Sequence, residues 1–297
     1  MRYGIVILPQ DPWAEAARKW RGAERLGFDH GWTYDHLSWR SLADEPWHAT
    51  IPTLTAAALV TRDLGLGTFV SSPNFRHPVP FAKELFTLDD VSGGRFLLGV
   101  GSGGTGFDAS VLGQRAYTGP ERHARFTEFV TLLDLLLRGE PVGSTTGLSW
   151  AGEWYTAVGA RMVGAPTRSP RLPFVIAANG PKGLRLAATH GAGWVTTGPD
   201  GATGDAWWTA VAALAGRLDD AVLAVGRVPA SIDRYLSLDS GGSYSLQSVG
   251  AFDDAVGRAE ELGFTDVISH WPRESGIYAG SEDVLEAVAA ARMPPRG

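Results

Sequence analysis

One short joint recurs along the chain and constrains its fold more than any other feature. Residues 23–29 read A-E-R-L-G-F-D, and residues 259–266 read A-E-E-L-G-F-T-D. A looser copy, A-T-H-G-A-G-W, occupies residues 188–194. Each copy ends a helical pattern, supplies a glycine and begins an apolar strand. Repeated joints of this kind predict parallel strands connected by returning helices.

The strand and helix patterns alternate along the whole chain. Strand patterns lie at 3–8, 28–34, 66–70, 95–100, 174–178, 193–197, 232–238 and 267–269. Helical patterns lie at 12–26, 51–61, 79–90, 120–138, 181–190, 206–218, 249–262 and 282–291. Asp11 before Pro12 predicts that the Asp11 side chain caps the first helix.

About eight strand–helix units in 297 residues predict one α/β domain, 1–297, folded as a single (β/α)8 TIM barrel rather than an open doubly wound sheet. Insertions are expected after the fourth strand. One is an excursion at 106–117, and the other is a hairpin at 147–158, where polar and apolar residues alternate.

Composition excludes several classes of protein. The net charge of -6 shows no block of one sign, which argues against a nucleic-acid or anionic-membrane partner. There are 0 Cys, so disulfides and thiolate chemistry are excluded, and the histidines lack metal-ligand spacing. No apolar stretch reaches the roughly 20 residues that span a bilayer, and Met1 leads directly into a strand. We therefore expect a cytoplasmic protein without a metal.

Ligand sites of a TIM barrel lie at the carboxyl ends of the strands. The side chains that end the predicted strands are mostly small and uncharged: Asp35, His36, Val70, Ser71, Ser72, Ser102, Gly103, Gly104, Ala178, Asn179, Gly180, Thr196, Thr197 and His270. Paired carboxylates or a Ser-His-Asp triad are lacking, which disfavours a hydrolase. Small residues fit a site that presses close to a flat anionic cofactor.

One of these strand ends resembles a phosphate site. Asn179 and Gly180 precede the helix that begins at Pro181, so the free amides of its first turn could receive a phosphate. Thr196 and Thr197 could add hydroxyl donors from the next strand. The alternative is that these segments are short turns at the barrel rim.

Two motifs around the third and fourth strands identify a family. They read F-V-S-S-P-N-F-R-H-P from Phe69 and S-G-G-R-F-L-L-G-V-G-S-G-G from Ser92. Together they resemble the bacterial luciferase-like superfamily of flavin- and deazaflavin-dependent oxidoreductases. The resemblance implies a bulge with a non-prolyl cis peptide at Phe69-Val70, which faces the cofactor ring. It also implies phosphate binding by the loops after the fifth and sixth strands.

The resemblance also suggests catalytic residues. Asp35-His36 matches the D-H pair of the deazaflavin-dependent members, where the histidine faces the redox ring and could exchange a proton. Trp39 is expected to form a wall of the substrate pocket. Related sugar-phosphate dehydrogenases carry a proton-donating Glu after the fourth strand, whereas this chain has Gly104. Sugar-phosphate oxidation by the same mechanism is therefore disfavoured.

The resemblance implies an F420-dependent reductase or dehydrogenase that transfers a hydride between the deazaflavin C5 and a small organic substrate. The alternative on the same fold is an FMN-dependent monooxygenase that uses O2 and reduced FMN from a partner reductase. A non-catalytic ligand-binding barrel is the alternative of another class. A homodimer is expected, and the sequence does not identify the substrate.

Overall fold

Eight parallel strands form a closed barrel in the computed structural model, which describes residues 1–139, 146–164 and 166–293. The order around the barrel is β1-β2-β3-β4-β7-β8-β9-β10, and Arg2 and Val6 of β1 lie opposite Asp266 and His270 of β10. The ten strands of the described residues are β1 (Arg2–Val6), β2 (His30–Thr33), β3 (Gly65–Thr68), β4 (Phe96–Val100), β5 (Leu148–Ala151), β6 (Thr156–Ala160), β7 (Phe174–Ala177), β8 (Gly193–Thr196), β9 (Asp233–Ser237) and β10 (Asp266–His270).

Eight α-helices alternate with the barrel strands in the described residues. They are α1 (Trp13–Arg25), α2 (Thr50–Val60), α3 (Pro78–Val91), α4 (Gly119–Arg138), α5 (Pro181–His190), α6 (Gly204–Ala224), α7 (Val249–Glu261) and α8 (Glu282–Arg292). The predicted (β/α)8 TIM barrel is therefore confirmed. The excursion after β4 and the β5–β6 hairpin lie where insertions were predicted.

The repeated joint has a conformational basis in two of its three copies. Gly27 and Gly263 follow α1 and α7 with φ of 91° and 76°, the left-handed region that glycine enters without a steric penalty. The looser copy differs, because Gly191 has φ of -77°. The two close copies therefore share one helix-terminating geometry, and the third ends its helix in another way.

Successive side chains of the strands belong alternately to two buried clusters. On β1 and just beyond it, Ile5 and Ile7 pack with the helices, whereas Val6 and Leu8 pack with residues such as Trp32 in a second cluster. This alternation is the two-residue period of a strand with both faces buried. The apolar pattern continues past the last strand residue, which is why the sequence predicted a longer first strand.

The prediction for Asp11 was wrong. Helix α1 follows Pro12 without a capping side chain, and the carboxylate of Asp11 instead accepts a hydrogen bond from Lys19 at 2.7 Å. Lys19 lies two turns along the same helix, so its cation reaches back to Asp11 and competes with capping.

In the described part of the chain, no helix has the length and apolar character to cross a membrane.

Candidate active site

A cavity of about 660 Å³ opens at the carboxyl ends of the barrel strands. Most predicted site residues line it: His36, Trp39, Phe69, Val70, Ser72, Ser102, Gly103, Ala178, Asn179, Thr196 and Thr197. Gly104, which follows the fourth predicted strand, also lines the cavity. Other lining residues were not predicted as site residues: Tyr34, Arg40, Gly101, Ala177, Val195, Pro199, Asp200, Gly201, Asp239, Ser240, Gly242 and Tyr278. The fold therefore brings strand ends that are distant in sequence to one cavity.

The end of β3 has the backbone that the family resemblance implied. The Phe69-Val70 peptide bond is cis, so this prediction is confirmed. The ring of Phe69 lies against the ring of Tyr34, with centroids 6.2 Å apart. Ser71 turns away from the cavity and is fully buried, and its Oγ has no hydrogen-bond partner among the described residues. Phe69, Val70 and Ser72 therefore form this part of the cavity wall, whereas Ser71 does not.

Two glycines after β4 add no side chain to the cavity wall. A Cβ placed on Gly101 would lie 3.0 Å from Cγ2 of Val70 and 3.4 Å from Cβ of Ala177. Gly103 has φ of 75°, and a Cβ there would lie 2.6 Å from Oδ1 of Asn74. Only glycine fits both positions without rearrangement. The space between β3 and β7 is thus bounded by backbone and by small side chains.

His36 is held by a carboxylate that the sequence did not predict. Its Nδ1 lies 2.5 Å from Oδ2 of Asp108, in the turn after β4. The other oxygen of Asp108 accepts the backbone N–H of Leu37 at 2.8 Å. Because an ionised carboxylate only accepts hydrogen bonds, Asp108 places a proton on Nδ1 and leaves Nε2 as the nitrogen available to a ligand. The acidic residue in the 106–117 excursion was the available sequence signal.

Asp35 does not belong to the cavity, although it was predicted as catalytic together with His36. Its side chain is 1% exposed and forms an ion pair with Arg76 at 2.7 Å. Its chain neighbours Tyr34 and His36 line the cavity, so successive side chains point alternately into the cavity and away from it. Asp35 therefore ties the end of β2 to the turn that precedes α3.

The residues after β7 and β8 that were predicted to bind a phosphate are only partly available for binding. The side chains of Asn179 and Thr196 bond to each other at 2.6 Å, and Asn179 also donates to the carbonyl of Gly198 at 2.8 Å. These bonds connect the loops after β7 and β8. Gly180 lies at the rim rather than in the cavity wall, and no side chain caps α5 there. The first-turn amides of α5 have no partner within the helix and remain the donors suited to an anion.

Aromatic side chains and one cation complete the wall after β2. The ring of Trp39 meets the ring of Tyr34 edge to face with centroids 5.1 Å apart, so Trp39 lies in the wall as predicted. The guanidinium of Arg40 lies 5.2 Å from the centroid of the Trp39 ring. Trp47 instead supports the loop, because its Nε1 donates to the carbonyl of His36 at 2.9 Å.

His270, the weaker histidine candidate, is buried behind the cavity wall. Its side chain is 2% exposed and bonds to Asp239 on one side and to Tyr34 on the other. Burial raises the pKa of Tyr34 well above its ordinary value, so this hydroxyl is neutral at physiological pH.

Among the described residues, no cluster of three or more His, Asp or Glu side chains could hold a metal ion.

Comparison with known proteins places this site in a family context. The profile of the luciferase-like monooxygenase family matches residues 1–237. The F420-dependent glucose-6-phosphate dehydrogenase of Beutenbergia cavernae is 38% identical over 181 residues, which cover 60% of this chain and 51% of that protein. The 4-hydroxyprotoasukamycin monooxygenase of Streptomyces nodosus subsp. asukaensis is 31% identical over 202 residues, covering 64% and 51%.

The chain spans about half the length of the curated relatives it matches. A solved F420-dependent secondary alcohol dehydrogenase, in complex with an F420-acetone adduct, superposes with a TM-score of 0.75. That superposition covers 91% of this chain and 93% of the other at 17% identity, so it supports the fold alone. Because the family profile extends over 237 residues and includes both motifs, the chain belongs to the luciferase-like monooxygenase family.

Proposed function

We propose that the protein is an F420-dependent oxidoreductase that transfers a hydride between the deazaflavin and a small organic substrate. The observation that carries the proposal is the His36–Asp108 pair, whose histidine lines the same cavity as Phe69 and Val70. The similarity to an F420-dependent dehydrogenase, 38% identical over 181 residues, supports the choice of deazaflavin.

The residues present fit a flat cofactor of this kind. The cavity volume of about 660 Å³ lies within the range of small-molecule sites. Phe69, Val70 and Ser72 would face the ring system from one side, and the glycines after β4 leave the gap unobstructed. The amides at the start of α5 would receive the phosphate of the side chain. When bound, the deazaflavin accepts or supplies a hydride.

His36 would exchange the proton that accompanies this hydride. Asp108 fixes the orientation of the imidazole and stabilises its protonated form, so Nε2 can hold or release a proton at a defined place in the cavity. Trp39 and Tyr34 would exclude water from one side of that position. The 106–117 excursion supplies a carboxylate to the site even though Gly104 replaces the acid of the sugar-phosphate dehydrogenases.

An FMN-dependent monooxygenase is the second candidate. A monooxygenase is 31% identical over 202 residues, and the family itself is described by that activity. In this case the small residues around Gly101 would leave room for oxygen beside the ring, and a partner reductase would supply reduced FMN. A homodimer is part of both proposals.

Fluorescence titration with each cofactor tests the order of the two candidates. We expect F420 to bind with quenching of its fluorescence and FMN to bind far more weakly. Ala177→Leu, which fills the gap beside Gly101, should weaken F420 binding about 5- to 150-fold, since overpacking of a close gap costs about 1–3 kcal/mol. Ala224→Leu, at the exposed end of α6, is the matched control.

Each outcome of the titration has a separate meaning. Tight binding of FMN without affinity for F420 would favour the monooxygenase. Binding of neither cofactor would contradict both candidates. Binding of F420 without turnover of any substrate would favour a ligand-binding barrel instead of the enzyme proposed here.

A further inference from the structure

A second histidine–carboxylate pair lies beside the cavity and has no part in the proposed function. Nδ1 of His270 lies 2.7 Å from Oδ2 of Asp239, and the same oxygen accepts the backbone N–H of His270 at 2.7 Å. The other oxygen of Asp239 accepts the backbone N–H and the hydroxyl of Ser245 at 2.8 and 2.6 Å. These contacts hold the Asp239 carboxylate, whose side chain is 1% exposed, in one orientation beside the cavity.

The direction of the hydrogen bonds around His270 follows from their chemistry. The carboxylate of Asp239 can only accept, so Nδ1 carries a proton and donates it. In the neutral imidazole, Nε2 is then an acceptor, and the hydroxyl of Tyr34 donates to it at 2.8 Å. That hydroxyl has one proton, so the 3.1 Å contact between the two tyrosine oxygens runs from Tyr278 to Tyr34. The result is one directed chain from Tyr278 through Tyr34 and His270 to Asp239.

The outer end of this chain reaches the cavity. Tyr278 and Tyr34 line it, whereas His270 does not. The rings of Tyr278 and His270 stack with centroids 3.7 Å apart and planes 7° apart, which fixes the position of the Tyr278 hydroxyl. Since this hydroxyl donates inward to Tyr34, its oxygen keeps a lone pair that can accept a proton from a ligand.

Burial keeps both phenols neutral. It raises the pKa of Tyr34 and that of Tyr278, in each case as the largest effect. The charged groups that act on the two phenols are the carboxylate of Asp239 and two arginines. Arg40 lines the cavity, and Arg273 is paired with Glu45 at 2.6 Å. A neutral hydroxyl that both donates and accepts can pass a proton along the chain without becoming charged in between.

We propose that a proton relay runs through Tyr278, Tyr34, His270 and Asp239. This relay makes alcohols and their carbonyl products the substrate class of this cavity. This proposal rests on the proposed F420-dependent function. Tyr278 would be the catalytic residue that touches the substrate, and His270 and Asp239 would act through the tyrosines.

The relay takes up the proton that the two-electron oxidation of an alcohol releases. The substrate O–H bond breaks, and its proton passes to the Tyr278 oxygen while the Tyr278 proton moves to Tyr34. The Tyr34 proton moves to Nε2 of His270, which becomes an imidazolium paired with Asp239. The C–H bond would break with its electron pair, the C=O bond would form, and the hydride would go to oxidised deazaflavin, the two-electron oxidant of the proposed function. In the reverse direction, the same proton returns to the carbonyl oxygen.

The relay is separate from the His36–Asp108 pair. The rings of Tyr34 and His36 lie edge to face with centroids 5.9 Å apart, and no hydrogen bond joins them in the described residues. One cavity therefore has two groups that can exchange a proton. The relay would take the proton of the substrate oxygen, and the proton that His36 exchanges during hydride transfer would be that of the cofactor ring.

Kinetics of two matched tyrosine variants test the relay. The probes are propan-2-ol and cyclohexanol with oxidised F420, followed by the loss of F420 absorbance. We expect Tyr278→Phe to lower kcat at least about 100-fold, as for removal of a general acid–base group, with the F420 Kd and the alcohol KM nearly unchanged. Tyr244→Phe removes a half-buried hydroxyl that donates to the His270 carbonyl at 2.8 Å, outside the relay, and should keep the wild-type kcat.

A measurement without cofactor tests the direction of the chain. Nitrogen-15 NMR of histidine-labelled apoprotein, assigned with His270→Gln, should show His270 protonated at Nδ1 with Nε2 unprotonated and hydrogen-bonded. Tyr34→Phe should shift the Nε2 resonance and leave Nδ1 nearly unchanged. A proton on Nε2 in the wild type would overturn the relay.

The failures of the two proposals can be told apart. Turnover of an alcohol by the wild type, with equal kcat for Tyr278→Phe, would overturn the relay and leave the F420-dependent function intact. F420 binding without turnover of either alcohol would overturn the substrate class assigned here. Absence of F420 binding would overturn the proposed function, and the relay with it.

Discussion

Nδ1 of His36 and Oδ2 of Asp108 lie 2.5 Å apart although 72 residues separate them in the chain. His36 follows β2, and Asp108 belongs to the turn after β4. The two loops meet because parallel strands of a barrel end at the same rim. The histidine expected from the sequence therefore has a partner that only the closed barrel supplies.

The His36–Asp108 contact predicts the effect of removing one charge. Asp108→Asn should lower kcat by about 100-fold, because the amide no longer stabilises the protonated imidazole or fixes its tautomer. The measurement is steady-state turnover with saturating cofactor. Asp44→Asn changes an exposed acid in the loop after His36 and should behave as wild type. Equal activity of the two variants would contradict the assigned role of Asp108.

The buried ion pair of Asp35 predicts a loss of stability. Arg76 contacts both Asp35, which is 1% exposed, and Glu84, which is 43% exposed. Asp35→Asn should lower the free energy of unfolding by about 3 kcal/mol, because the guanidinium of Arg76, which is 14% exposed, loses its main partner. Glu84→Gln should cost less than about 1 kcal/mol. Urea unfolding of both variants compares the two ion pairs of Arg76. Equal losses in the free energy of unfolding would contradict the larger role given to Asp35.

The carboxylate of Asp134 on α4 predicts a pH dependence of stability. Burial raises its pKa, but His190, whose Nδ1 lies 3.7 Å from Oδ2, the charge of Arg171 and the hydrogen bonds from Arg138 and Arg171 outweigh burial, so the net pKa lies below the ordinary value. A carboxyl with a lowered pKa in the folded state stabilises the fold above the unfolded value, about 3.9, and loses this contribution as the pH falls towards the folded value.

Asp134→Asn should therefore destabilise the protein most at neutral pH. We expect a loss of about 3 kcal/mol at pH 7, and a loss smaller by about 1 kcal/mol at pH 3. Chemical denaturation at the two pH values measures the difference. Asp90→Asn, at an exposed position of α3, should stay within about 0.5 kcal/mol of wild type at both. A constant loss for Asp134→Asn would show that its charge has no such role.

The sequence predicted what depends on neighbours in the chain. Helix α5 begins and ends at the predicted residues, Pro181 and His190, because Pro181 favours a helix start. The β5–β6 hairpin follows from alternating side chains. The motif at Phe69-Val70 located the cis peptide and the cavity wall beside it. By contrast, the expected cap at Asp11 was wrong, because Lys19 competes for that carboxylate.

Sequence alone thus determined the α/β class, the positions of the strands and helices, and the small residues that leave a gap at the barrel mouth. These features arise from local backbone preference and from the period of apolar side chains. Only the tertiary structure decided which polar groups meet: Asp108 with His36, Asp239 with His270, and Tyr278 with Tyr34. Such contacts join loops that are distant in the chain, and closure of the barrel sets which of them lie within hydrogen-bond distance.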